Sequence, residues 1–527
     1  MSKSIVSMIT NIISKEVVDE EDNVQQVFYT CISAWSKNPQ NIRVLAPSGE
    51  GKTWLVNHVV DLFPEENVLK LSHATPKSFN YYSSERIVEN GPGNWQDYDT
   101  AMKPIEEELK KCKDPERIKE LKEGMNYIHK NTYNLVDFTN KILVFLDSQS
   151  MELWESIKPN LSHDAKHLKS FGINKSQSGR IQNEKTIFVG FPAVIYCSAK
   201  DEIAQDKTNE INTRFKTLSL KGNPIKYRKT LKLTSLRNCI PNDIYQEEIV
   251  SEEQKEYTRI LILGIIESIK QYEESYNLFG QCISDNFPTD GGYVNRTLES
   301  FLTLINIMTL TNAKERPKII QNNTEYPVTL IEDVLAANSL TKTVPEIAQR
   351  KLQYYNELIK PAILEIGTDT SLIEGAVKTA KTREIAEWIS QKTGTFCDKQ
   401  RLLETFLDPL SEHGYLDEYQ DPETKRKQSL WAIPPRFVNK DTILESMIID
   451  NDDIQDSCVR VFKEKYLDYR FESGKLAVID KSGNTIDLDN LVEIITSIDN
   501  QPSKTVPENV LSESSMIIEK QEVSSNV

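Results

Sequence analysis

The sequence predicts an α/β protein whose core is a parallel β-sheet that carries a phosphate-binding loop. A short apolar run, Ile42–Leu45, leads into a glycine-containing loop and then into a helical apolar pattern. A second apolar run, Lys141–Asp147, ends in a carboxylate. Beyond residue 345 the pattern changes to helices followed by a hairpin. These observations predict a parallel-sheet core, a helical region and a smaller domain after it.

The composition is typical of a soluble globular protein of about three domains. Hydrophobic residues make up 38% of the 527 residues and charged residues 27%, which is the usual balance for such proteins. No apolar run approaches the roughly 20 residues that span a bilayer, and the first residues lack a signal-peptide core. Seven scattered cysteines without a C-x-x-C pair argue against a disulfide framework. We therefore expect a cytoplasmic protein with no membrane partner.

The charge distribution contains one local reversal. The net charge of −16 argues against general nucleic-acid binding, so any such contact must come from basic patches. Between Ile211 and Pro241 the sequence contains no Asp or Glu. The basic residues of this stretch are Arg214, Lys216, Lys221, Lys226, Arg228, Lys229, Lys232 and Arg237. A solvated face and an anion or nucleic-acid contact fit this pattern equally well.

The loop after the first strand has the residues of a P-loop. The run Ala46-Pro-Ser-Gly-Glu-Gly-Lys-Thr53 follows that pattern, with an alanine where the first glycine usually stands. Gly49 and Gly51 allow backbone N–H groups to face a phosphate chain at a helix N-terminus. Lys52 would reach the β- and γ-phosphates, and the Thr53 hydroxyl would ligate Mg²⁺. The predicted nucleotide-binding residues here are Pro47, Ser48, Gly49, Glu50, Gly51, Lys52, Thr53 and Trp54.

The run that ends at Asp147 has the pattern of a strand followed by a metal-holding carboxylate. Asp147 would hold the water shell of the Mg²⁺ ion. Many P-loop hydrolases place a glutamate directly after this aspartate, whereas Ser148 and Gln149 follow here. Binding of a nucleoside triphosphate is therefore a more direct prediction than its hydrolysis. We expect the loop and Asp147 to face each other across adjacent parallel strands.

Two further elements of the core are predicted between these motifs and the acid-free stretch. A hairpin turns at Ser176–Gly179, with Lys175 and Arg180 near its tip. The apolar run Ala193–Ser198 then predicts a buried strand that ends in a polar side chain.

The region after residue 345 has the layout of a winged helix. Thr382–Ser390 begins with an N-cap threonine, and Asp398–His413 begins with an N-cap aspartate. Strands at 415–419 and 429–433 form a hairpin. Arg401 lies on the candidate recognition helix, which suits a major groove. The basic residues of the hairpin turn are Lys425, Arg426 and Lys427. A protein–protein module is the alternative use of such a domain.

Changes in composition and pattern divide the chain into six segments. They are an N-terminal helical segment (1–40), a nucleotide-binding core (41–240) with a charged helical insertion at about 96–130, a helical lid (241–345), a winged-helix domain (346–438), a small acidic C-terminal module (439–498) and a disordered tail (499–527).

The order of these elements resembles the AAA+ ATPases, especially the minichromosome-maintenance and initiator-type branch. The similarity covers roughly residues 40–435. Ala46–Thr53 matches the Walker A motif of that family, and Leu143–Asp147 matches its Walker B motif. The hairpin before Ala193 resembles a DNA-contacting hairpin of those helicases, which implies a DNA contact for Lys175 and Arg180. The resemblance implies an AAA+ parallel-sheet core, a helical lid and a winged helix, with ATP and Mg²⁺ as cofactors.

Three polar residues are similar to family residues that sense the bound phosphate. Ile211-Asn-Thr-Arg214-Phe resembles the arginine-finger motif, which implies that Arg214 reaches the γ-phosphate of a neighbouring subunit. Asn295–Glu299 resembles the sensor 2 segment, which implies a phosphate contact for Arg296. Ser198 falls where sensor 1 places a polar side chain.

The function implied by the resemblance is that of an ATP-dependent DNA-processing ATPase. Such a protein would be replicative helicase-like or loader-like and would assemble as a homo-oligomeric ring. One copy would supply Lys52, Thr53 and Asp147, and its neighbour would supply Arg214. DNA would bind to the hairpin and the winged helix.

Ser148 motivates an alternative function. Because the family has a glutamate at this position, the chain could instead be a weakly hydrolysing ATP-binding switch. Such a switch, or a transcription regulator of the same kind, would keep the DNA-binding winged helix.

Overall fold

The computed structural model describes most of the chain. The described residues are 5–72, 74, 85–91, 94–147, 149–162, 167–175, 181–198, 214–220, 222, 224–287, 294–343, 349–368, 378–412, 415–420, 429–434 and 452–497.

A five-stranded parallel sheet forms the centre of the first part of the chain. Its strands are β1 (Asn41–Leu45), β2 (Val68–Leu71), β6 (Ile142–Phe145), β9 (Ala193–Ser198) and β10 (Lys216–Ser219). They lie in the order β10-β1-β9-β6-β2, and every pair is parallel. Every residue of β1, β6 and β9 is buried, as is usual for strands covered on both faces. The predicted α/β class with a parallel sheet is confirmed.

The position of β9 corrects one expectation. The strands that precede the P-loop and Asp147 are not adjacent, because β9 pairs with β1 on one side and with β6 on the other. Val44 lies opposite Cys197, and Ile195 lies opposite Val144. The apolar side chains of β9 are covered on both faces, so this strand belongs in the middle of the sheet.

Helices cover both faces of this sheet. On one face α1 (Ile5–Ile13), α2 (Glu21–Ser33) and α3 (Lys52–Val60) contribute to a large core. On the other face α6 (Met151–Leu161) packs its Trp154 against a group of aromatic rings. The ring centroids of Phe145, Tyr196 and Phe215 lie 5.2, 5.0 and 5.4 Å from that of Trp154. This aromatic cluster fixes α6, and with it the loop that carries Asp147, to three strands or strand ends of the sheet.

A second five-stranded sheet, which the sequence did not predict, lies beside the first. Its strands are β3 (Arg86–Glu89), β4 (Trp95–Asp97), β5 (Thr132–Asp137), β7 (His167–Lys175) and β8 (Ile181–Val189), in the order β4-β3-β5-β8-β7. The predicted hairpin is its β7–β8 pair, in which Lys175 lies opposite Ile181. The predicted charged helices are α4 (Tyr98–Lys111) and α5 (Pro115–Lys130), which connect β4 to β5. Val88, Met102 and Ile128 join these helices to the sheet.

Helices dominate the next part of the chain. They are α7 (Pro224–Cys239), α8 (Asn242–Ile249), α9 (Glu252–Tyr272), α10 (Gly280–Asn286), α11 (Val294–Thr311) and α12 (Ile331–Thr343). Between α11 and α12 the strands β11 (Lys318–Gln321) and β12 (Thr324–Pro327) form an antiparallel hairpin. The inner faces of α9 and α11 belong to the same core as α2 and α3, so this region packs against the helices on one face of the parallel sheet.

A compact helix–hairpin region has a separate core. Its helices are α13 (Gln349–Tyr354), α14 (Lys360–Ile366), α15 (Thr382–Thr393), α16 (Lys399–Leu402) and α17 (Asp408–Glu412), with π-helical turns at Tyr355–Ile359 and Leu403–Leu407. Its strands are β13 (Thr379–Lys381), β14 (Asp417–Gln420) and β15 (Ser429–Ala432), in the order β13-β15-β14. The two predicted helices and the predicted hairpin are present, and β13 adds a third strand.

The two predicted helix caps in this region have different outcomes. Asp398 accepts a hydrogen bond from the backbone N–H of Arg401 and is an N-cap, as predicted. Thr382 is instead the first helical residue, and Lys381 occupies the N-cap position. The Thr382 hydroxyl accepts a hydrogen bond from the indole N–H of the buried Trp431 at 2.8 Å. The side chain is therefore used in a tertiary contact and does not cap the helix.

The C-terminal segment completes the small sheet of the helical region. It contains α18 (Asp452–Phe462), a π-helical turn (Lys463–Leu467), α19 (Asp468–Glu472), β16 (Leu476–Ile479) and α20 (Leu488–Thr496). β16 pairs antiparallel with β11, with Val478 opposite Ile319. Val459, Val478 and Leu491 belong to the same core as the helices α9 and α11. The boundary at 439 stays a prediction, but the two parts on either side of the helix–hairpin region share one sheet.

We expect the Trp154→Ala substitution to lower the free energy of unfolding by about 3–5 kcal/mol, because it removes the ring around which three others pack. Urea unfolding followed by circular dichroism measures the change. The control is Tyr469→Ala on α19, where the side chain is 73% exposed and the expected change is within about 0.5 kcal/mol. Equal unfolding midpoints for the two variants would contradict the assignment of Trp154 to the core.

Candidate nucleotide-binding site

The loop between β1 and α3 has the backbone of an anion-binding loop. Gly49 and Gly51 have φ values of +90° and +91°, in the left-handed region that other residues rarely adopt. Gly51 is the N-cap of α3, and no side chain caps the helix there. The first backbone N–H groups of α3 therefore face the loop without a side-chain acceptor, and the helix dipole adds positive potential. This arrangement favours a phosphate group.

Lys52 stands at the mouth of the loop. Its ammonium group donates hydrogen bonds to the carbonyl oxygens of Ala46 at 2.6 Å and of Pro47 at 2.9 Å. These contacts hold the cation beside the loop, where it can exchange carbonyl oxygens for phosphate oxygens. Thr53 follows on the first turn of α3 and is exposed, so its hydroxyl is accessible to a metal ion.

The carboxyl ends of β1, β6 and β9 bring the loop together with Asp147 and Ser198. Ser198 lies opposite Leu45, and its carbonyl oxygen accepts a hydrogen bond from the N–H of Ala46 at 3.3 Å. Asp147 follows β6 by two residues and is exposed. The two motifs that lie far apart in the sequence therefore reach the same edge of one sheet.

Cys197 on β9 is influenced by the charges of both Lys52 and Asp147. Burial raises the pKa of Cys197 to about 12, the positive charge of Lys52 opposes this rise, and the negative charge of Asp147 adds to it. The strand order places β9 between β1, which precedes the loop of Lys52, and β6, which precedes Asp147. Lys52 and Asp147 are thus arranged on either side of the end of β9.

Gln149 is held by the backbone around it. Its amide nitrogen donates to the carbonyl oxygens of Asp147 at 2.7 Å and Ser72 at 3.1 Å. Its side-chain oxygen accepts from the N–H of Ala74 at 2.8 Å. The side chain therefore ties the end of β6 to the segment after β2. Ser148, the departure from the family pattern, lies outside the described residues, and Glu152 is exposed on the first turn of α6.

A cavity beside the loop is formed by segments that the sequence analysis did not assign to the site. It lies between the loop, the turn at residues 16–20 and the inner face of α7. Its lining residues are Glu16, Val17, Val18, Glu20, Gly49, Glu50, Gly51, Trp54, Leu55, Leu220, Lys226, Tyr227, Thr230, Leu233, Thr234, Arg237 and Tyr245. The mixture of apolar walls and a few charged groups is typical of small-molecule sites. The sequence signal that marked α7 was its lack of acidic residues.

Helix α7 is fixed over the loop by side chains from its inner face. Lys226 and Glu20 form a buried ion pair at 2.7 Å, with only 9% and 3% of their side chains exposed. The Tyr227 hydroxyl donates a hydrogen bond to the Glu50 carboxylate at 2.7 Å. The guanidinium group of Arg237 lies 5.0 Å from the ring centroid of Trp54. The acid-free stretch therefore has a solvated face and an inner face that contacts the loop and the turn before α2.

Trp54, a predicted nucleotide-binding residue, lies at the end of this cavity. Its indole N–H donates to the carbonyl oxygen of Glu16 at 3.1 Å, and its ring centroid lies 4.0 Å from that of His58. His58 in turn lies 3.6 Å from the Glu16 carboxylate. The ring thus forms a wall of the cavity beside α3 rather than part of the phosphate-binding loop.

Arg214 lies at the other edge of the sheet. Arg214 lies two residues before the start of β10. Its side chain donates a hydrogen bond to the hydroxyl of Ser162, the residue that follows α6. The end of α6 is near the start of β1, since the Asn41 amide donates to the carbonyl oxygen of Leu161 at 3.2 Å. Arg214 is therefore at the amino edge of the parallel sheet, whereas the P-loop and Asp147 are at its carboxyl edge.

The remaining predicted site residues are spread over other elements. Arg296 is exposed on the first turn of α11, and Arg401 is exposed on α16. Lys175 is the last residue of β7, where the structure describes its backbone. Arg180, Lys425, Arg426 and Lys427 lie outside the described residues. Their roles in phosphate or DNA binding stay predictions.

The donor set of the site fits a magnesium ion that is held mainly by phosphate and water. Within the described part of the chain no three His, Cys, Asp or Glu side chains form a metal-binding group. A magnesium ion bound with a nucleotide takes only one or two protein ligands. The exposed Thr53 hydroxyl and the exposed Asp147 carboxylate can supply these ligands.

Comparison with known proteins assigns no family. No protein-family model and no curated protein matches this chain. None of the helices in the described ranges combines the length and apolar character needed to cross a bilayer.

We expect Lys226→Met to lower the free energy of unfolding by about 3–5 kcal/mol, because it removes the cation that balances the charge of the buried Glu20 carboxylate. Thermal unfolding of the full chain measures this change. The matched control is Lys229→Met on the same helix, whose ion pair with Asp19 is partly exposed, at 52% and 24% of the side chains, and is expected to contribute about 1 kcal/mol or less. Equal losses in the two variants would show that the buried pair does not hold α7.

Proposed function

We propose that this chain is an ATP-dependent DNA-processing ATPase of the replicative helicase or initiator/loader type. One observation supports the proposal: the glycine loop with Lys52 and the Asp147 carboxylate lie at the same edge of a parallel sheet, on either side of β9. Binding a nucleoside triphosphate needs this combination of a cradle, a cation and a metal-holding carboxylate.

In this mechanism the residues of one copy bind the nucleotide and its metal ion. The N–H groups of the loop and Lys52 bind the phosphate chain, and the cavity under α7 accepts the base and the ribose. Thr53 and Asp147 would hold a Mg²⁺ ion, which when bound would neutralise charge on the phosphates. Ser198, at the end of β9, lies beside the loop and is available for a polar contact.

The position of Arg214 supports a role in a neighbouring copy. Because Arg214 and the P-loop lie at opposite edges of the sheet, its guanidinium group is not available to the nucleotide of its own chain. A head-to-tail arrangement, in which the amino edge of one copy faces the carboxyl edge of the next, would bring them together. Repetition of such a contact generates a ring when the rotation closes.

DNA would bind outside the nucleotide site. The β7–β8 pair of the second sheet ends at Lys175 opposite Ile181, and the predicted DNA contacts are Lys175 and Arg180, the latter outside the described residues. The helix–hairpin region has the two predicted helical segments, among others, and a three-stranded sheet, which supports a winged helix with Arg401 on α16. We infer a cytoplasmic protein with DNA as its macromolecular substrate.

We expect Lys52→Ala to abolish ATP binding, and Arg214→Ala to keep binding but lower turnover by about 10³-fold or more, because a finger supplied in trans stabilises the transition-state charge. Mixing the two inactive variants should restore part of the turnover, since each copy supplies what the other lacks. Phosphate release and equilibrium nucleotide binding measure these effects. Arg460→Ala, an exposed arginine on α18, is the control. Normal turnover in purified Arg214→Ala would rule out the interface mechanism.

One observation favours the second candidate, a weakly hydrolysing ATP-binding switch or transcription regulator. Gln149 makes three hydrogen bonds to the backbone, which leaves it poorly placed to orient an attacking water molecule. A chain of this kind would bind ATP tightly, change its assembly or DNA binding with the nucleotide, and turn over slowly.

Turnover and unwinding separate the two candidates. For the motor we expect ATPase activity that rises with single- or double-stranded DNA, together with separation of a labelled duplex, because translocation couples DNA contact to hydrolysis. Tight ATP binding with negligible turnover and no unwinding would instead identify the switch. Lys52→Ala is the control in both assays, since it removes the phosphate contact common to the two functions.

A further inference from the structure

The outer face of α7 has an unusual combination of basic and apolar side chains. The inner face, around Lys226, Thr230 and Arg237, lines the cavity beside the P-loop. At 3.6 residues per turn, the opposite side carries Ile225, Arg228 and Lys232, with Leu231 on its flank. Ile225 is 68% exposed and Leu231 is 70% exposed. We call these four residues the α7 face.

A second exposed surface runs along α9. Its buried side, which includes Ile262, Ile265 and Ile269, belongs to the large core. Its exposed side carries Tyr257, Ile260 and Leu263, which are 52%, 58% and 48% exposed. Three acidic residues and a glycine lie along the same line. The members of this α9 stripe are Glu253, Glu256, Tyr257, Ile260, Leu263, Gly264 and Glu267.

Gly264 makes this stripe suitable for close helix packing. A Cβ atom added at this position would meet no atom within 4 Å apart from its sequence neighbours and the adjacent backbone of α9. Glycine weakens the middle of a helix, and here its own chain gains no contact from the missing side chain. A small residue beside Ile260 and Leu263 allows another helix to approach the backbone closely.

We propose that the α7 face of one copy docks on the α9 stripe of a second copy of this chain. Both surfaces have an apolar centre, and their charges are opposite: α7 contains no acidic residue, whereas the stripe contains three acidic residues and no basic one. In a chain with a net charge of −16, a basic apolar face finds its acidic counterpart on another copy. Ion pairs between the two copies would form at the rim of the contact. Within one chain, Arg259 already forms such a pair with Glu256 beside the stripe.

This contact rests on the proposed function, because the α7 face and the α9 stripe would be the surfaces that join copies of the ATPase. The two surfaces are different, so the contact is heterologous and leaves one free surface at each end of a pair. Copies therefore add in one direction until the assembly closes. The inner side of α7 holds Glu50 of the P-loop through Tyr227, so docking on the outer side acts on the helix that covers the nucleotide site.

The test uses two variants that each lose one surface. Leu231→Glu removes the α7 face, and Ile260→Glu removes the α9 stripe. Each introduces a like charge or a buried charge at the contact, and each is expected to weaken self-association at least about tenfold. Both positions are mostly exposed in the single chain, so unchanged circular dichroism and unfolding midpoints are expected. Arg228→Glu is a second variant of the α7 face that acts through charge alone.

Mixing gives the decisive result, measured by size-exclusion chromatography with light scattering, with and without ATP and Mg²⁺. The Ile260→Glu copy keeps its α7 face, and the Leu231→Glu copy keeps its α9 stripe. Two variants that are monomeric alone should therefore form a 1:1 dimer that grows no further. Tyr469→Glu, which changes an exposed tyrosine on α19, should assemble like the unmodified chain.

Three results would overturn the interface. They are a monomeric unmodified chain at every concentration, variants that assemble normally, and a mixture that stays monomeric. If Leu231→Glu lost DNA binding while Ile260→Glu kept it and the mixture stayed monomeric, the α7 face would be a nucleic-acid contact instead. Nucleotide binding is measured on the same samples. A mixed dimer without ATP binding would keep the interface and reject the ATPase, and ATP binding without a mixed dimer would do the reverse.

Discussion

The parallel pairing of β1, β9 and β6 is the constraint on which the site depends. Parallel strands end at the same edge of a sheet, so the loop after β1 and the carboxylate after β6 are brought together by backbone hydrogen bonds alone. The buried apolar side chains of all three strands fix this arrangement from both faces. The charges at the edge therefore rest on a rigid support, and α7 is held above them by the buried pair of Lys226 with Glu20.

Local patterns in the sequence predicted the elements that carry the site, but not their neighbours in space. Gly49, Gly51 and Asp398 have the backbone and cap roles that their residue types predict, because these roles are decided within a few residues. The insertion of β9 between β1 and β6, and the whole second sheet, depend on pairings between distant segments. The ion pair of Lys226 with Glu20 joins residues 206 positions apart, and no local signal specifies such a partner.

Helix α7 shows why a charge pattern alone leaves its function open. Its inner cations are used within the chain, in the buried pair of Lys226 and in the contact of Arg237 with Trp54. Its outer side, with Arg228 and the exposed Leu231, faces away from the cavity. The sequence indicates that the stretch is basic. Which cations face the cavity and which face outward follows only from the position of the helix over the loop. The same helix thus has one side that lines the cavity beside the loop and another that is exposed.

The pairing of β16 with β11 affects how the helix–hairpin region can move. In the sequence, the helix–hairpin region lies between β12 and β16, which belong to the same small sheet. The region is therefore an insertion rather than a C-terminal addition. A domain on a single linker can swivel about that linker, whereas two attachment points on one sheet restrict rotation to a hinge-like swing. Any partner bound by this region would consequently approach the parallel sheet along a narrower range of directions than on a single linker.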